Sequence, residues 1–197
     1  MKELVIATAN PGKLQEIEES LRGVGAKLLS LRDFSYLSPI EEDGMTFREN
    51  AVKKARIVAH RTGMLTIADD SGLEVDFLAG APGIYSSRFA GETASDADNN
   101  RKLLQFLKDV PASQRGALFR CVIAMTDLQG REAWVEGRCR GVIAREERGE
   151  NGFGYDPLFL LPELGKTLAE LSLEEKNKVS HRGKALAALK EVLRNFL

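Results

Sequence analysis

Ile67-Ala68-Asp69-Asp70-Ser71-Gly72-Leu73 follows Thr66 as a small and apolar stretch running into two adjacent carboxylates, a hydroxyl and a glycine. Aliphatic residues followed by turn-forming Asp, Ser and Gly predict a buried strand over Met64–Ala68 that stops abruptly and delivers acids at its carboxyl end. Open α/β sheets bind their ligands at that edge. Neighbouring residues of a strand point to opposite faces, so the two aspartates cannot do the same job. One can face a cleft while the other ties down the loop through backbone N–H groups. A plain turn would explain the same residues without any chemistry, and the rest of the chain decides between the two.

Upstream, Leu4-Val5-Ile6-Ala7 is a short aliphatic run of the buried-strand kind, ending at Thr8-Ala9-Asn10-Pro11-Gly12-Lys13. Asn10 suits an N-cap and Pro11 the first helical position, and Leu14, Ile17 and Leu21 recur on one helical face. A strand therefore leads through a tight turn into a helix whose N-terminus attracts anions, phosphate in particular. Lys27–Leu31 predicts a second strand, and Arg32–Gly44 reads as a loop carrying Glu41-Glu42-Asp43. That acidic run stands directly before Thr46-Phe47-Arg48-Glu49, a capping box opening a helix with Ala51, Ala55, Val58 and Ala59 inward. A carboxylate anchored there is a candidate metal ligand.

Downstream, Gly80-Ala81-Pro82-Gly83 forces an irregular turn, Ile84–Gly91 predicts a surface loop or short helix, and Ser95 opens a helix burying Leu103, Leu104 and Leu107. Ala117–Thr126 and Glu132–Arg145 flank the turn Asp127-Leu128-Gln129-Gly130 and predict an antiparallel hairpin, so the sheet is expected to be mixed. Gly149–Pro157 is a glycine-rich loop presenting Phe153, Tyr155 and Asp156, where either aromatic could stack on a base. Ser172-Leu173-Glu174-Glu175 is a second capping box, leading through Lys176 to Ser180-His181-Arg182-Gly183 and a last helix with Leu186, Leu189, Leu193 and Phe196 inward. His181 and Arg182 stand at the start of that helix, where the macrodipole disfavours positive charge.

The bounds agree with a soluble α/β protein. The 197 residues fit one domain, or two small lobes sharing a core; 43% are hydrophobic and 29% charged, and the net charge of −1 gives no long-range field for nucleic acid or an anionic membrane. No apolar run of about 18 residues predicts a membrane span, and the amino terminus does not read as a signal peptide. Cys121 and Cys139 lack metal-ligand spacing and read as reduced core thiols, which points to the cytoplasm. Gly165-Lys166-Thr167 imitates the end of a P-loop, but Leu160 stands where its first glycine is required. What remains is a helix N-terminus with Lys13, clustered carboxylates and a glycine-rich aromatic loop with cationic groups nearby. These are the parts needed to hold a nucleoside triphosphate and a divalent metal.

Five stretches, Thr8–Lys13, Ala68–Leu73, Pro82–Ser86, Phe153–Pro157 and Ser180–Arg182, stand in an order and at separations that resemble the inosine triphosphate pyrophosphatase family, over nearly the whole chain. The resemblance implies an elongated two-lobed α/β fold, a single domain over 1–197, with a long bent mixed β-sheet flanked by helices and a nucleotide cleft between the lobes. It also implies a homodimer and Mg²⁺-dependent cleavage of ITP, dITP or XTP to the monophosphate and pyrophosphate. Carried over residue by residue, Thr8, Ala9, Asn10, Pro11, Gly12 and Lys13 meet the triphosphate, joined by Lys53. Asp70 is the proton acceptor and a metal ligand, with Glu41 as the second ligand in a register that leaves Glu42 open, and Ser71 touches substrate. Phe153, Gly154, Tyr155 and Asp156 frame the base, Lys176 supports it, and His181 and Arg182 read its six-position oxygen. The alternatives are a nucleotide sensor that binds without cleaving and a related enzyme for modified pyrimidine triphosphates.

Overall fold

The computed structural model describes residues 2–38 and 40–197; Pro39, in the loop expected over Arg32–Gly44, lies outside them. Seven strands form one sheet in the order β2-β1-β3-β4-β5-β6-β7. They are β1 (Lys2–Ile6), β2 (Ala26–Ser30), β3 (Leu65–Val75), β4 (Gly116–Thr126), β5 (Glu132–Ile143), β6 (Phe159–Leu161) and β7 (Lys166–Thr167). The helices are α1 (Pro11–Ser20), α2 (Phe47–Thr62), α3 (Asp96–Phe106), α4 (Leu173–Val179) and α5 (His181–Leu193). β1 pairs in parallel with β2 and β3, whereas β6 is antiparallel to β5 and β7. The sheet is therefore mixed, as the sequence predicts. Sheet neighbours β4 and β5 are joined by only Asp127–Arg131, a connection too short for a parallel crossover, so the expected hairpin is present. No helix among the described residues is long and apolar enough to cross a membrane.

The expectation for the opening stretch needs correction. The strand does not stop at Ala68: β3 runs for 11 residues, through Asp69, Asp70, Ser71 and Gly72. Those residue types favour turns in isolation, but here the segment is buried for most of its length, and sheet context overrides local preference. The acids nevertheless reach a sheet edge for another reason. In the parallel register Ile6, the last residue of β1, lies opposite Ile67, and the Ala7 amide still donates to the Ile67 carbonyl at 2.8 Å. Beyond that point β1 peels away into the Thr8–Lys13 turn while β3 carries on with its two carboxylates.

The chain divides into two compact units: residues 1–70, 121–137 and 182–197, and residues 71–120 and 138–181. Each has its own apolar core. In the first, Leu4, Ile6 and Ile67 of the sheet meet Leu14, Ile17 and Leu21 of the α1 segment and Leu186, Leu189 and Leu193 of α5. In the second, Leu73, Val75 and Phe119 cluster with Leu103 and Leu107 and with Tyr155, Leu158 and Phe159. The apolar spacing read from the sequence for α1, α3 and α5 thus finds its core; Leu104 and Phe196, the latter beyond the end of α5, are partly buried and pack against it. The division passes between Asp70 and Ser71 and again between His181 and Arg182.

Candidate active site

In the first unit the site begins at the α1 N-terminus. Asn10 caps the helix by accepting from the Lys13 amide at 3.0 Å, with Pro11 at its start. Thr8 braces the turn by accepting from the Asn10 amide at 3.2 Å. Ala9, Asn10 and Pro11 are exposed and Gly12 is partly so, which leaves this helix end open to an anion. The Lys13 ammonium meets the Asp69 carboxylate at 3.0 Å.

Asp69 is the centre of a buried ionic network. Arg182 reaches it at 3.3 Å and binds Glu16 at 2.5 Å, with the side chains of all three no more than 3% exposed. Lys54 donates to the Asp69 carbonyl at 2.5 Å and pairs with Glu42. Burial alone would push the Asp69 carboxyl up, but the positive charges of Lys13, Arg182 and Lys54 outweigh it and hold the group well below the usual carboxylate range. Lys54, in turn, stays protonated: burial opposes its charge, and Asp69, Glu42 and Asp70 more than compensate.

Asp70, the next residue, has the opposite setting. Its carboxylate accepts from the Asn50 side-chain amide at 2.9 Å, and Asn50 is itself held because its oxygen accepts from the Gly44 amide at 2.8 Å. Burial raises the Asp70 pKa and the negative charge of Glu42 adds to the rise; Lys13, Lys54 and the Asn50 hydrogen bond only partly offset them. The alternation along β3 therefore separates the two acids as expected. Asp69 is held as an anion, and Asp70 takes a proton more readily than an ordinary aspartate, a division that marks acid–base sites.

The loop before α2 brings Glu42 toward this cluster, while Glu41 is exposed. Lys53 pairs with Asp43, and its neighbour Lys54 is buried. Thr46 caps α2 by accepting from the Glu49 amide, but in the return contact the Glu49 carboxylate accepts from the Met45 amide rather than closing the expected capping box on Thr46. Among the described residues no group of three or more His, Cys, Asp or Glu side chains is arranged to hold a metal ion. Glu42 and Asp70 are hard oxygen donors whose charges act on one another, the chemistry that could hold a divalent cation.

In the second unit the glycine-rich loop is pinned from several sides. The Gly154 amide donates to Asp96 at 2.7 Å, and Asn100 donates to the Gly154 carbonyl at 3.1 Å. The Tyr155 hydroxyl donates to the Ser86 carbonyl at 2.8 Å, and its ring is buried. Of the two aromatics Phe153 is therefore the one with an accessible edge; its ring has the Lys176 ammonium 4.8 Å from its centroid. Lys176 pairs with Asp156, both side chains 4% exposed, and Asp156 also accepts from the Phe153 amide at 2.9 Å. Gly152 sits at φ 76°, and a Cβ there would run into the Asp156 carboxylate, so glycine is required at that position. His181, at the start of α5, lies flat against the Phe119 ring. Ser71 continues β3 into this unit.

Sequence reasoning missed Glu16, Asn50, Lys54 and Phe119. Asn50 and Lys54 leave a trace, since they stand one turn apart beside the apolar positions Ala51, Ala55 and Val58. Glu16 leaves none, because it is buried on a side of α1 away from Leu14 and Ile17. Phe119 reads only as another strand residue.

The Ham1 family model matches residues 4–192. The chain is 54% identical over 191 residues to a dITP/XTP pyrophosphatase of Desulforamulus reducens, covering 97% of this chain and 95% of that protein. It is 49% identical over 194 residues to the dITP/XTP pyrophosphatase of Bacillus subtilis, covering 98% of each. Among solved structures, a HAM1 protein from Coxiella burnetii superimposes with a TM-score of 0.89 at 46% identity over 99% of this chain and 100% of that one. The Ham1 protein of Staphylococcus aureus does so with 0.87 at 41% identity over the full length of both. The resemblance carried by the five motifs holds, and the chain belongs to the Ham1 family.

Proposed function

We propose that this enzyme hydrolyses dITP, ITP and XTP to the monophosphate and pyrophosphate with Mg²⁺, removing aberrant purines from the nucleotide pool. The observation that carries the reading is the pair of adjacent carboxylates on β3, Asp69 ion-paired with Lys13 and Arg182 and Asp70 accepting from Asn50, supported by the names of the curated relatives.

In this reading the open α1 N-terminus from Thr8 to Lys13 takes the triphosphate, with Lys53 at its rim. Asp70 accepts a proton from the attacking water as its oxygen bonds to the α-phosphorus and the bond to pyrophosphate breaks, a contribution of ~10²–10⁴-fold. Asp69 cannot share that role, because its charge is committed to Lys13 and Arg182. Glu42 and Asp70 would hold Mg²⁺, which neutralises phosphate charge when bound. Three cations, Lys13, Lys54 and Arg182, face four carboxylates, Glu16, Glu42, Asp69 and Asp70. A polyphosphate added to that balance requires further positive charge.

Phe153 and the Gly154–Asp156 backbone frame the base, Ser71 contacts the substrate, and Lys176 supports the stacking ring. His181 donates toward the carbonyl that hypoxanthine and xanthine carry where adenine has an amino group. Arg182 acts from behind, by fixing Asp69. Sites built on one specific hydrogen bond discriminate by up to ~10⁴–10⁵. The chain works as a cytoplasmic homodimer in this reading, and the two buried free thiols suit a reducing compartment.

The test is pyrophosphate release from dITP, ITP, XTP, GTP, ATP and dTTP with Mg²⁺, with and without a chelator. The reading requires chelator-sensitive turnover of the first three and weak turnover of ATP and dTTP. Binding without release, or preference for dTTP, contradicts it.

A further inference from the structure

We infer that Phe119 is a positioning residue that sets the plane of the His181 imidazole, and through it the selectivity for the base; this rests on the proposed role of His181. The two rings are nearly parallel, 9° apart, with centroids 4.4 Å from each other. Phe119 lies on β4, one of the long interior strands. Its ring is also braced at 4.6 Å by Phe159, tilted at 44°. Phe119 is 6% exposed and His181 4% exposed, so both rings are buried against each other.

The need for such a brace follows from the backbone. His181 is the first residue of α5 and follows Ser180, which is extended at φ −71° and ψ 162° where α4 gives way to α5. A side chain at a helix start has no preceding helical turn of its own to lean on, so its torsions must be set by tertiary contacts. Imidazole N–H bonds lie in the ring plane, and a hydrogen bond weakens steeply away from the donor axis. Fixing the plane therefore restricts the donor to acceptors lying level with it. A purine carbonyl presented edge-on meets that condition, and a donor amino group there does not. The Phe119 face supplies this restriction without a polar contact that would compete for the imidazole.

The experiment compares Phe119→Leu, Phe119→Tyr, Phe159→Leu and His181→Ala for kcat and KM with ITP and ATP. Phe119→Leu is expected to raise KM for ITP about three- to tenfold, the scale of an aromatic stack, with kcat kept and the ITP-to-ATP preference reduced by the same factor. Phe119→Tyr, which keeps the ring face, restores the preference. Phe159→Leu removes the ring that braces Phe119 but leaves the Phe119–His181 stack in place, and is expected to reduce the preference by a smaller factor than Phe119→Leu. In the unmodified protein the His181 ring protons are expected upfield of their ordinary NMR position because they lie over the Phe119 face, which tests the stack even if Phe119→Leu fails to fold. Ordinary shifts, an unchanged preference in Phe119→Leu, or an equal loss in Phe159→Leu overturns the inference. If His181→Ala also leaves the preference unchanged, the base-reading role itself falls; if only Phe119→Leu does, that role stands and the positioning role falls.

Discussion

The two compact units handle charge in different ways. In the first, Asp69 gathers Lys13, Arg182 and the backbone contact of Lys54, and Glu16 and Glu42 extend the network. In the second, the buried Lys176–Asp156 pair stands beside Phe153, and His181 rests on Phe119. The first unit sets three cations, Lys13, Lys54 and Arg182, against four carboxylates, whereas the second combines flat rings with one buried ion pair.

Removing the proposed base gives the largest contrast. Asp70→Asn keeps the Asn50 contact region filled but removes the proton acceptor, and kcat is expected to fall ~10²–10⁴-fold with KM largely retained. Stopped pyrophosphate assays on the purified variant check it, and near-normal turnover would move the chemistry elsewhere. The next effect is on folding. Arg182→Met strands Glu16 and Asp69 without their guanidinium and is expected to cost about 3–5 kcal/mol, read from the urea midpoint. Lys176→Met strands a single carboxylate that still accepts from the Phe153 amide, so its loss is expected at the low end of the same range, about 3 kcal/mol. A larger loss for Lys176→Met than for Arg182→Met would reverse the comparison.

A smaller effect concerns acid. The Asp69 pKa is lowered on folding, so Asp69 contributes stability above its ordinary value of about 3.9, and that stability is lost as the pH falls toward the lowered folded value. Asp70 is raised, so ionising it works against stability as the pH climbs past the same point. Stability measured below about pH 4 should therefore fall less steeply in Asp69→Asn than in the parent, measured as urea midpoints across acidic pH. The smallest effects are the caps, Thr46→Ala on α2 and Ser172→Ala on α4, each expected to cost about 1 kcal/mol in thermal melts.

Much of this was legible in the sequence, for particular reasons. The α1 cap and its phosphate-suited N-terminus follow from Asn10 and Pro11, because capping is local chemistry. That Asp69 and Asp70 have different roles follows from strand alternation; the groups that set them apart, Lys13 and Arg182 at Asp69 and Asn50 at Asp70, do not. What the residues could not say is that β3 continues through Asp-Asp-Ser-Gly, since the energy that overrides turn preference comes from sheet neighbours distant in sequence. Nor could they settle the register of the acidic run, because Glu41 and Glu42 have the same chemistry and only the approach to α2 brings Glu42 toward Asp70 and Lys54. The burial of Glu16 depends on a partner 166 positions away, Arg182, and no spacing rule spans that distance.

The claim on which the account turns is that neighbouring aspartates on one strand are set in opposite directions. Carboxyl carbon NMR of the metal-free protein, titrated from low pH to neutrality with Asp69 and Asp70 assigned, measures it directly. The account predicts that Asp70 titrates above the ordinary aspartate value of about 3.9, that Asp69 titrates below it, and that Glu42→Gln brings Asp70 down. Both groups titrating together, or Asp69 above Asp70, would contradict it.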